Sequence, residues 1–561
     1  MKRTVDACFA MLVIVAGCHR HPAPPRHETV ARVSTHGRSS CIEEATAGPA
    51  PRPAVLRPVA PLSGTHVHTR RPELRWEAPP GAVSAVELCS DATCEHVIAH
   101  ARGTGVGTPD TDLPSGDVHW RVVVGAGKSV PWTLHVRAGA HGAATGARGD
   151  LDGDGYADVV VGALGRDRHP APFARIHRGG PNGLAVAHAE LDGGVGEPYW
   201  WKPSQAAAFA RGDFDGDGRE DLAASLHDPL RVQVYLGLSE RVVPARTVVV
   251  PNPTDREDEF ATMVASADVD GDGFDDLVVG DENAQRVFVF RGSARGPATS
   301  PRETVATGEA WTNFGASVAG VGDLDGDGFE DVVVGDPGQG SVTAGRAWLL
   351  WGSASGLAWT ARTVLTGMEL PPELAELRGG SGRASSDFGF GRIAWPADRF
   401  FGDSPEAFVV GSSEQLRVYG RPSGGHPGTL SAGAMLGGGV FASGDLDGDG
   451  KPEVAITGSS GLDVECSVRR RRGGDSFDHP AKVHLGFRGI GSFGSALSIP
   501  GDIDGDGYAD LVVTAPAVGG NVPLLLVFYG APGEECVERT PRTVIFGVEW
   551  GDRARYGLWV R

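Results

Sequence analysis

The sequence predicts an all-β chain, a seven-bladed β-propeller preceded by a small β-sandwich. Three observations predict it. An Asp-rich motif recurs along the C-terminal three quarters of the chain, each time followed by an apolar run. Upstream of it, short segments of alternating apolar and polar residues are separated by Pro/Gly turns. The 561 residues include 83 Gly and 39 Pro with no collagen period, alongside 40% hydrophobic residues, so a core can form and turns must be frequent.

The chain opens with an export signal over residues 1–18. Lys2 and Arg3 precede an uncharged apolar run, Ala7 to Ala16, too short to span a bilayer. The run ends Val15-Ala16-Gly17-Cys18, which resembles the lipobox of bacterial lipoproteins. That resemblance implies cleavage before Cys18, lipidation of Cys18 and anchoring of the exported chain in the cell envelope. His19 rather than Asp after the cysteine implies the outer membrane or cell surface. Residues 19–55, rich in Pro, Arg and His, read as a disordered tether.

Residues 56–138 carry the alternating segments Glu73–Trp76, Ala85–Leu88, His119–Val124 and Trp132–Val136. They resemble a fibronectin III or Ig-like β-sandwich, with Trp76, Trp120 and Trp132 in its core. Export permits disulfides, and Cys89 with Cys94 is the best candidate pair. Cys466 with Cys536 is a weaker one, and Cys41 falls in the tether.

Residues 141–561 hold the repeat D-x-D-G-D-G-x-x-D. Its copies are Asp150, Asp152, Asp154 and Asp158; Asp213, Asp215, Asp217 and Asp221; Asp268, Asp270, Asp272 and Asp276; Asp323, Asp325, Asp327 and Asp331; Asp445, Asp447, Asp449 and Glu453; and Asp502, Asp504, Asp506 and Asp510. A degenerate copy, Asp398 to Glu406, keeps the following strand and loses the acids. First aspartates lie 63, 55, 55, 75, 47 and 57 residues apart, room for the four strands of one blade. A Phe-Gly pair or close relative precedes the loop at Phe260, Phe314, Phe390 and Phe493. The first copy lacks one, and the chain ends with Tyr556-Gly557-Leu-Trp-Val, predicting that the C-terminal strand completes the first blade. Phe-Gly, the Asp loop and strands ending Gly-Asp-Pro or Thr-Ala-Pro resemble FG-GAP repeats, the units of the integrin α propeller. The resemblance covers about three quarters of the chain.

Acids at positions 1, 3, 5 and 9, with Gly at 6, suit a hard cation bound by oxygen. Position 7 supplies a backbone carbonyl, its side chain being left to vary. No helix flanks the loops and no regular Glu stands at position 12, so affinity is expected near the ~10⁻⁴ to 10⁻³ M of extracellular modules. Six Ca²⁺ ions would take the net charge of −20 to −8. The acidity is therefore largely a calcium requirement, and it argues against a nucleic-acid partner. Pro452 and Glu453 make the sixth-unit site the least regular.

Other motifs carry little. Gly125-Ala-Gly127-Lys128-Ser129 lacks the spacing of a phosphate loop and precedes a strand. His66-Val-His68 is an isolated pair. Arg148-Gly-Asp150 and Arg211-Gly-Asp213 end on loop acids, and Arg469 to Arg472 reads as a solvated run. Tether, sandwich and blades use nearly every residue, leaving no catalytic domain, so the chain is not expected to be an enzyme. The expected function is binding of a protein or glycan at the cell surface, as in adhesion, with structural calcium and a membrane anchor at Cys18. The alternatives are a lectin, with Trp200, Trp201, Trp311, Trp395 and Trp550 as candidate aromatics, and an accessory propeller of a polysaccharide-active or lipase-type enzyme.

Overall fold

The computed structural model describes residues 56–561 except 64, 68, 138–148, 165–173, 187, 192–207, 228–229, 239–243, 255–259, 262, 308–312, 338–344, 358, 361, 367–392, 397–406, 412–414, 421–430, 438–439, 449–451, 459–460, 467–480, 486–492, 495, 516–523, 534, 547–554 and 561. Cys18, Cys41, the tether, Phe390, the degenerate loop 398–406, Asp449, Arg469 to Arg472, and Trp200, Trp201, Trp311 and Trp550 lie outside the described residues. Among the described residues the regular structure is all β, and no helix is long and apolar enough to cross a membrane.

Residues 57–136 form two sheets. One pairs strands Arg57–Ala60, Leu74–Glu77 and Val106–Gly107. The other runs Thr65–Val67, Trp132–Val136, Gly116–Val124, Ala85–Cys89 and Val97–Arg102, with Gly127–Lys128 folded back on Val123 and Val124. Alternation places Trp76, Trp120, Trp132, Val86 and Leu88 inside, and the rings of Trp120 and Trp132 meet edge to face at 6.0 Å. Cys89 and Cys94 form a disulfide, their Cα atoms 5.1 Å apart. The glycines at 125 and 127 serve a hairpin turn, with no helix after them.

Seven four-stranded antiparallel sheets follow among the described residues. The second comprises Phe209–Gly212, Asp221–His227, Leu230–Leu238 and Pro244–Pro251; the third, Met263–Ala267, Asp276–Asp281, Arg286–Phe290 and Glu303–Ala306. The fourth, sixth and seventh repeat this order from Ser317, Phe441 and Ala496, and the fifth from Ile393. The first is different. Val159–Leu164, Ala174–His177 and His188–Leu191 come from its own repeat, and the fourth strand is Arg555–Val560 from the C-terminus. Val161 lies opposite Val560, and Ala163 opposite Tyr556.

Second strands such as Asp276–Asp281 and Asp510–Ala515 are buried along their whole length. A strand covered on both faces is read as a continuous apolar run, which is why VVVG-type segments recur. Cores form between successive sheets, first with second, second with third, third with fourth, fourth with fifth, and sixth with seventh. One more, with Val159, Val161, Ile503, Val512 and Val527, joins the seventh sheet to the first. Among the described residues, the Phe of the Phe-Gly pair or its close relative at 260, 314 and 493 packs between sheets. Phe260, Phe314 and Phe493 lie edge-on to Phe288, Trp348 and Phe528 on the third strand of their own sheets, at 6.1, 6.5 and 6.4 Å. Burying such a ring is worth roughly 1.5–3 kcal/mol. Gly315 has φ +93°, and a Cβ there would lie 2.7 Å from the Arg286 carbonyl oxygen of the preceding sheet. The pair thus supplies a core plug and a close backbone approach.

Candidate metal centres

Each Asp loop links the innermost strand of a sheet to the second; in the first sheet it leads into Val159–Leu164, beside the C-terminal strand. Glycines at positions 4 and 6 adopt positive φ, as at Gly153 (+79°) and Gly155 (+90°), which wraps the backbone around the first acid. Asp150 accepts N–H groups from Gly153, Asp154 and Gly155, at 2.7, 3.1 and 2.7 Å. Asp323 and Asp502 do the same within their loops.

The structure brings positions 1, 3 and 9 together. In Asp150/Asp152/Asp158, Asp213/Asp215/Asp221, Asp268/Asp270/Asp276, Asp323/Asp325/Asp331 and Asp445/Asp447/Glu453, one carboxylate oxygen from each residue lies within 4.8 Å of the others. The position-5 acid is not part of these groups. Asp154, Asp217, Asp272, Asp327 and Asp506 instead accept the N–H two residues on, at 2.9–3.1 Å. Glu453 keeps the position-9 geometry despite its extra methylene, accepting the Leu446 N–H at 2.7 Å.

The position-9 acid does more than close a cage. Asp221 receives the Phe214 N–H on Oδ2 at 3.0 Å and the Gly237 N–H on Oδ1 at 2.8 Å. Asp158, Asp276, Asp331 and Asp510 repeat this, taking one N–H from position 2 and another from Gly179, Gly292, Gly352 and Gly530. Those glycines follow the third strand of their sheets. A Cβ at Gly352 would lie 2.5 Å from the Glu330 carbonyl oxygen and 3.1 Å from that of Val269 in the preceding loop. Sequence reading missed this role, although FRG, LWG and FYG at the ends of third strands marked it.

Burial dominates the electrostatics. Desolvation, reinforced by neighbouring carboxylates, pushes Asp150 up to about 6, Asp158, Asp213, Asp276 and Asp331 to about 8, and Asp221 to about 9. Asp510 is driven well up by the same causes. Arginines partly offset the charge. Arg178 pairs with Asp152 and Asp154, Arg302 and Arg291 with Asp270, Arg246 with Asp215, and Arg542 with Asp504. Even so, Oδ1 of Asp270 and Oδ1 of Asp504 are buried without a hydrogen-bond partner. Clustered carboxylates with raised proton affinity and partnerless buried oxygens fit a divalent cation bound by oxygen.

The loops are also tied to one another. The position-8 N–H of Ala157, Asp275, Glu330 and Ala509 donates to the position-1 carbonyl of the preceding sheet's loop, at Asp502, Asp213, Asp268 and Asp445. Position-7 side chains, expected to vary freely, instead cover the position-4 glycine of the preceding loop. Phe274 lies over Gly216, Phe329 over Gly271, Tyr508 over Gly448 and Tyr156 over Gly505. The constraint is steric, which is why different large side chains serve. Position-8 acids bridge as well. Asp275 accepts the Asp213 N–H at 2.7 Å, and Glu330 the Asp268 N–H at 3.0 Å.

The sandwich meets the same loops. Arg75 donates to the Asp154 carbonyl at 3.0 Å and lies 5.8 Å from the centre of the Tyr156 ring. Arg57 donates to the Asp506 carbonyl and lies 4.9 Å from the Tyr508 ring centre. Arg137, 7% exposed, is ion-paired with Asp275 at 2.6 Å and Glu330 at 2.9 Å. Neither Arg-Gly-Asp copy presents a free acid, since Asp150 and Asp213 are buried. Arg211 is engaged by the carbonyls of Gly149 and Asp158. Cys536, buried beside the seventh sheet, is disulfide-bonded.

Comparison with known proteins agrees with this geometry. The FG-GAP-like repeat family matches residues 268–334 and 445–513, and the FG-GAP repeat family matches residues 142–180. Integrin alpha pat-2 of Caenorhabditis briggsae is 30% identical over 27% of this chain and 14% of its own length. Integrin alpha-8 of Gallus gallus is 27% identical over 32% of the chain and 18% of its own, and integrin alpha-3 of Mus musculus 30% over 20% and 11%. The chain thus spans less than a fifth of these relatives. A solved structure of an Agrocybe aegerita lectin, described as recognising non-reducing terminal N-acetylglucosamine, overlaps 72% of the chain and 95% of its own at 15% identity and a TM-score of 0.42. The recurring Phe-Gly plugs, Asp loops and matched segments show that the chain carries FG-GAP repeats similar to those of integrin α chains.

Proposed function

We propose that this chain is a calcium-binding surface lipoprotein whose propeller binds a protein ligand in an adhesion-type role, with calcium stiffening the fold. The observation that carries the reading is the repetition of one acidic cage at the same place in successive sheets. Its carboxylates carry protons near neutrality that a cation would displace. The likeness to integrin α chains favours a protein ligand over a substrate to be turned over. The Val15-Ala16-Gly17-Cys18 sequence supports an envelope anchor at Cys18. The roles assigned to the loop acids belong to the same reading.

Calorimetric titration of the mature chain with calcium, paired with melting curves in calcium and in chelator, tests it. About six ions bound, with a marked rise in melting temperature, is the expected result. No heat and no change in melting overturns the metal reading. The anchor is tested separately by Cys18→Ser, which should move the protein from the membrane fraction to the soluble one.

A further inference from the structure

The N-terminal sandwich has no assigned role, yet it touches the propeller at its most charged points. We propose that the sandwich is a cover seated on the cation loops, held while those loops are loaded and released when they are empty; this rests on the metal reading above.

Each of its three contacting arginines reaches a residue of the Asp loops. Arg75 and Arg57 bind the carbonyls of Asp154 and Asp506, the position-5 residues of the first and last loops. Arg137 binds Asp275 and Glu330, which directly precede the position-9 acids Asp276 and Asp331. The loop sequences match this footprint. The two loops beneath Arg57 and Arg75 read Gly-Tyr-Ala-Asp, offering a ring for the guanidinium and a small residue beside it. The two facing Arg137 carry an acid at position 8. A Cβ at Gly507 would lie 2.6 Å from Arg57 Nη1 and 3.3 Å from Val59 Cα, so only the bare loop backbone admits the sandwich. Leu62 packs against both the sandwich core and the core between the sixth and seventh sheets.

These contacts need the loop backbone in its wrapped form. A cation holds that form by neutralising the clustered carboxylates. Without it, the clustered carboxyls must hold protons or repel one another, and in neither state does anything draw positions 1, 3 and 9 to a common centre, so the loop is free to open and turn its carbonyls away from Arg57 and Arg75. Coupling of this kind is reciprocal, so seating the sandwich must also tighten cation binding.

The test uses the mature chain, and a Arg57→Ala, Arg75→Ala, Arg137→Ala variant of it. Small-angle scattering and hydrogen exchange are recorded in calcium and in chelator, with calcium calorimetry alongside. The wild type should lengthen in chelator and lose protection at Arg57–Ala60, while Gly116–Val124 in the sandwich core stays protected. The variant should behave this way even in calcium, and bind its weakest calcium ions at least about fivefold less tightly. If chelator unfolds the sheets themselves, the variant in calcium decides. Calcium binding with unchanged scattering and protection in both proteins overturns the cover and leaves the metal reading standing. An absence of calcium binding overturns both.

Discussion

Replacing Asp221 separates the two roles that its position combines. The side chain is fully buried and takes one N–H on each oxygen, from Phe214 and Gly237. Asp221→Ala strands both donors in the protein interior. Each buried unsatisfied N–H costs about 1–3 kcal/mol, so the change should cost about 2–6 kcal/mol even with no cation present. Asp221→Asn behaves differently. The amide keeps the shape and one acceptor oxygen, but its NH2 group is a donor and faces the second backbone N–H without accepting it. The Asn variant should therefore lose about 1–3 kcal/mol in chelator, roughly half the alanine cost, and in addition lose one bound calcium and part of the calcium-dependent stabilisation. Urea denaturation in chelator and in calcium, with calorimetric stoichiometry, reads all of these quantities. An alanine variant as stable as wild type in chelator would refute the hydrogen-bonding argument. An asparagine variant with a full calcium complement would refute the ligand assignment.

Gly530→Ala forces a Cβ against the Ala509 carbonyl oxygen and to 2.7 Å from that of Leu446, so it should cost about 1–3 kcal/mol by urea denaturation, with calcium stoichiometry kept. The cation-free protein should lose stability as pH rises from about 4 through 9. Asp158, Asp213, Asp221, Asp276 and Asp331 bind protons more tightly folded than unfolded, so their stabilising protons are fully held at low pH and shed as pH passes about 8–9. Melting curves in chelator at pH 5 and pH 9 check the direction. Calcium binding should correspondingly release protons at pH 7 and weaken toward pH 5, which calorimetry in buffers of different ionisation enthalpy will show.

The repeat was legible because its acids, glycines and following apolar strand are set by local geometry. A loop that wraps a cation needs its acids two residues apart, and a strand buried on both faces needs an apolar run. The Phe-Gly plug was legible for the same reason. What the sequence did not display were functions defined by a neighbouring sheet. Tyr156 and Phe274 looked like variable side chains because the glycine each covers lies one repeat away. Asp275 and Glu330 carried no reading from the sequence, because their partner, Arg137, belongs to the sandwich and lies more than a hundred residues away along the chain. The position-9 acids were read as ligands alone, because the N–H of a glycine 16 to 21 residues later becomes a partner only when third strands are placed beside second ones.

The pairing of Arg555–Val560 with Val159–Leu164 has a consequence for biogenesis. A chain made from its N-terminus presents the first sheet with its inner edge bare until the last strand arrives. Val159-Val-Val161 is apolar and rich in β-branched residues, the kind of edge onto which a foreign strand can add. Until that strand arrives, the earliest sheet is the most vulnerable one. Shielding of that edge by chaperones, or its capture by a neighbouring chain, will decide between a closed ring and an aggregate.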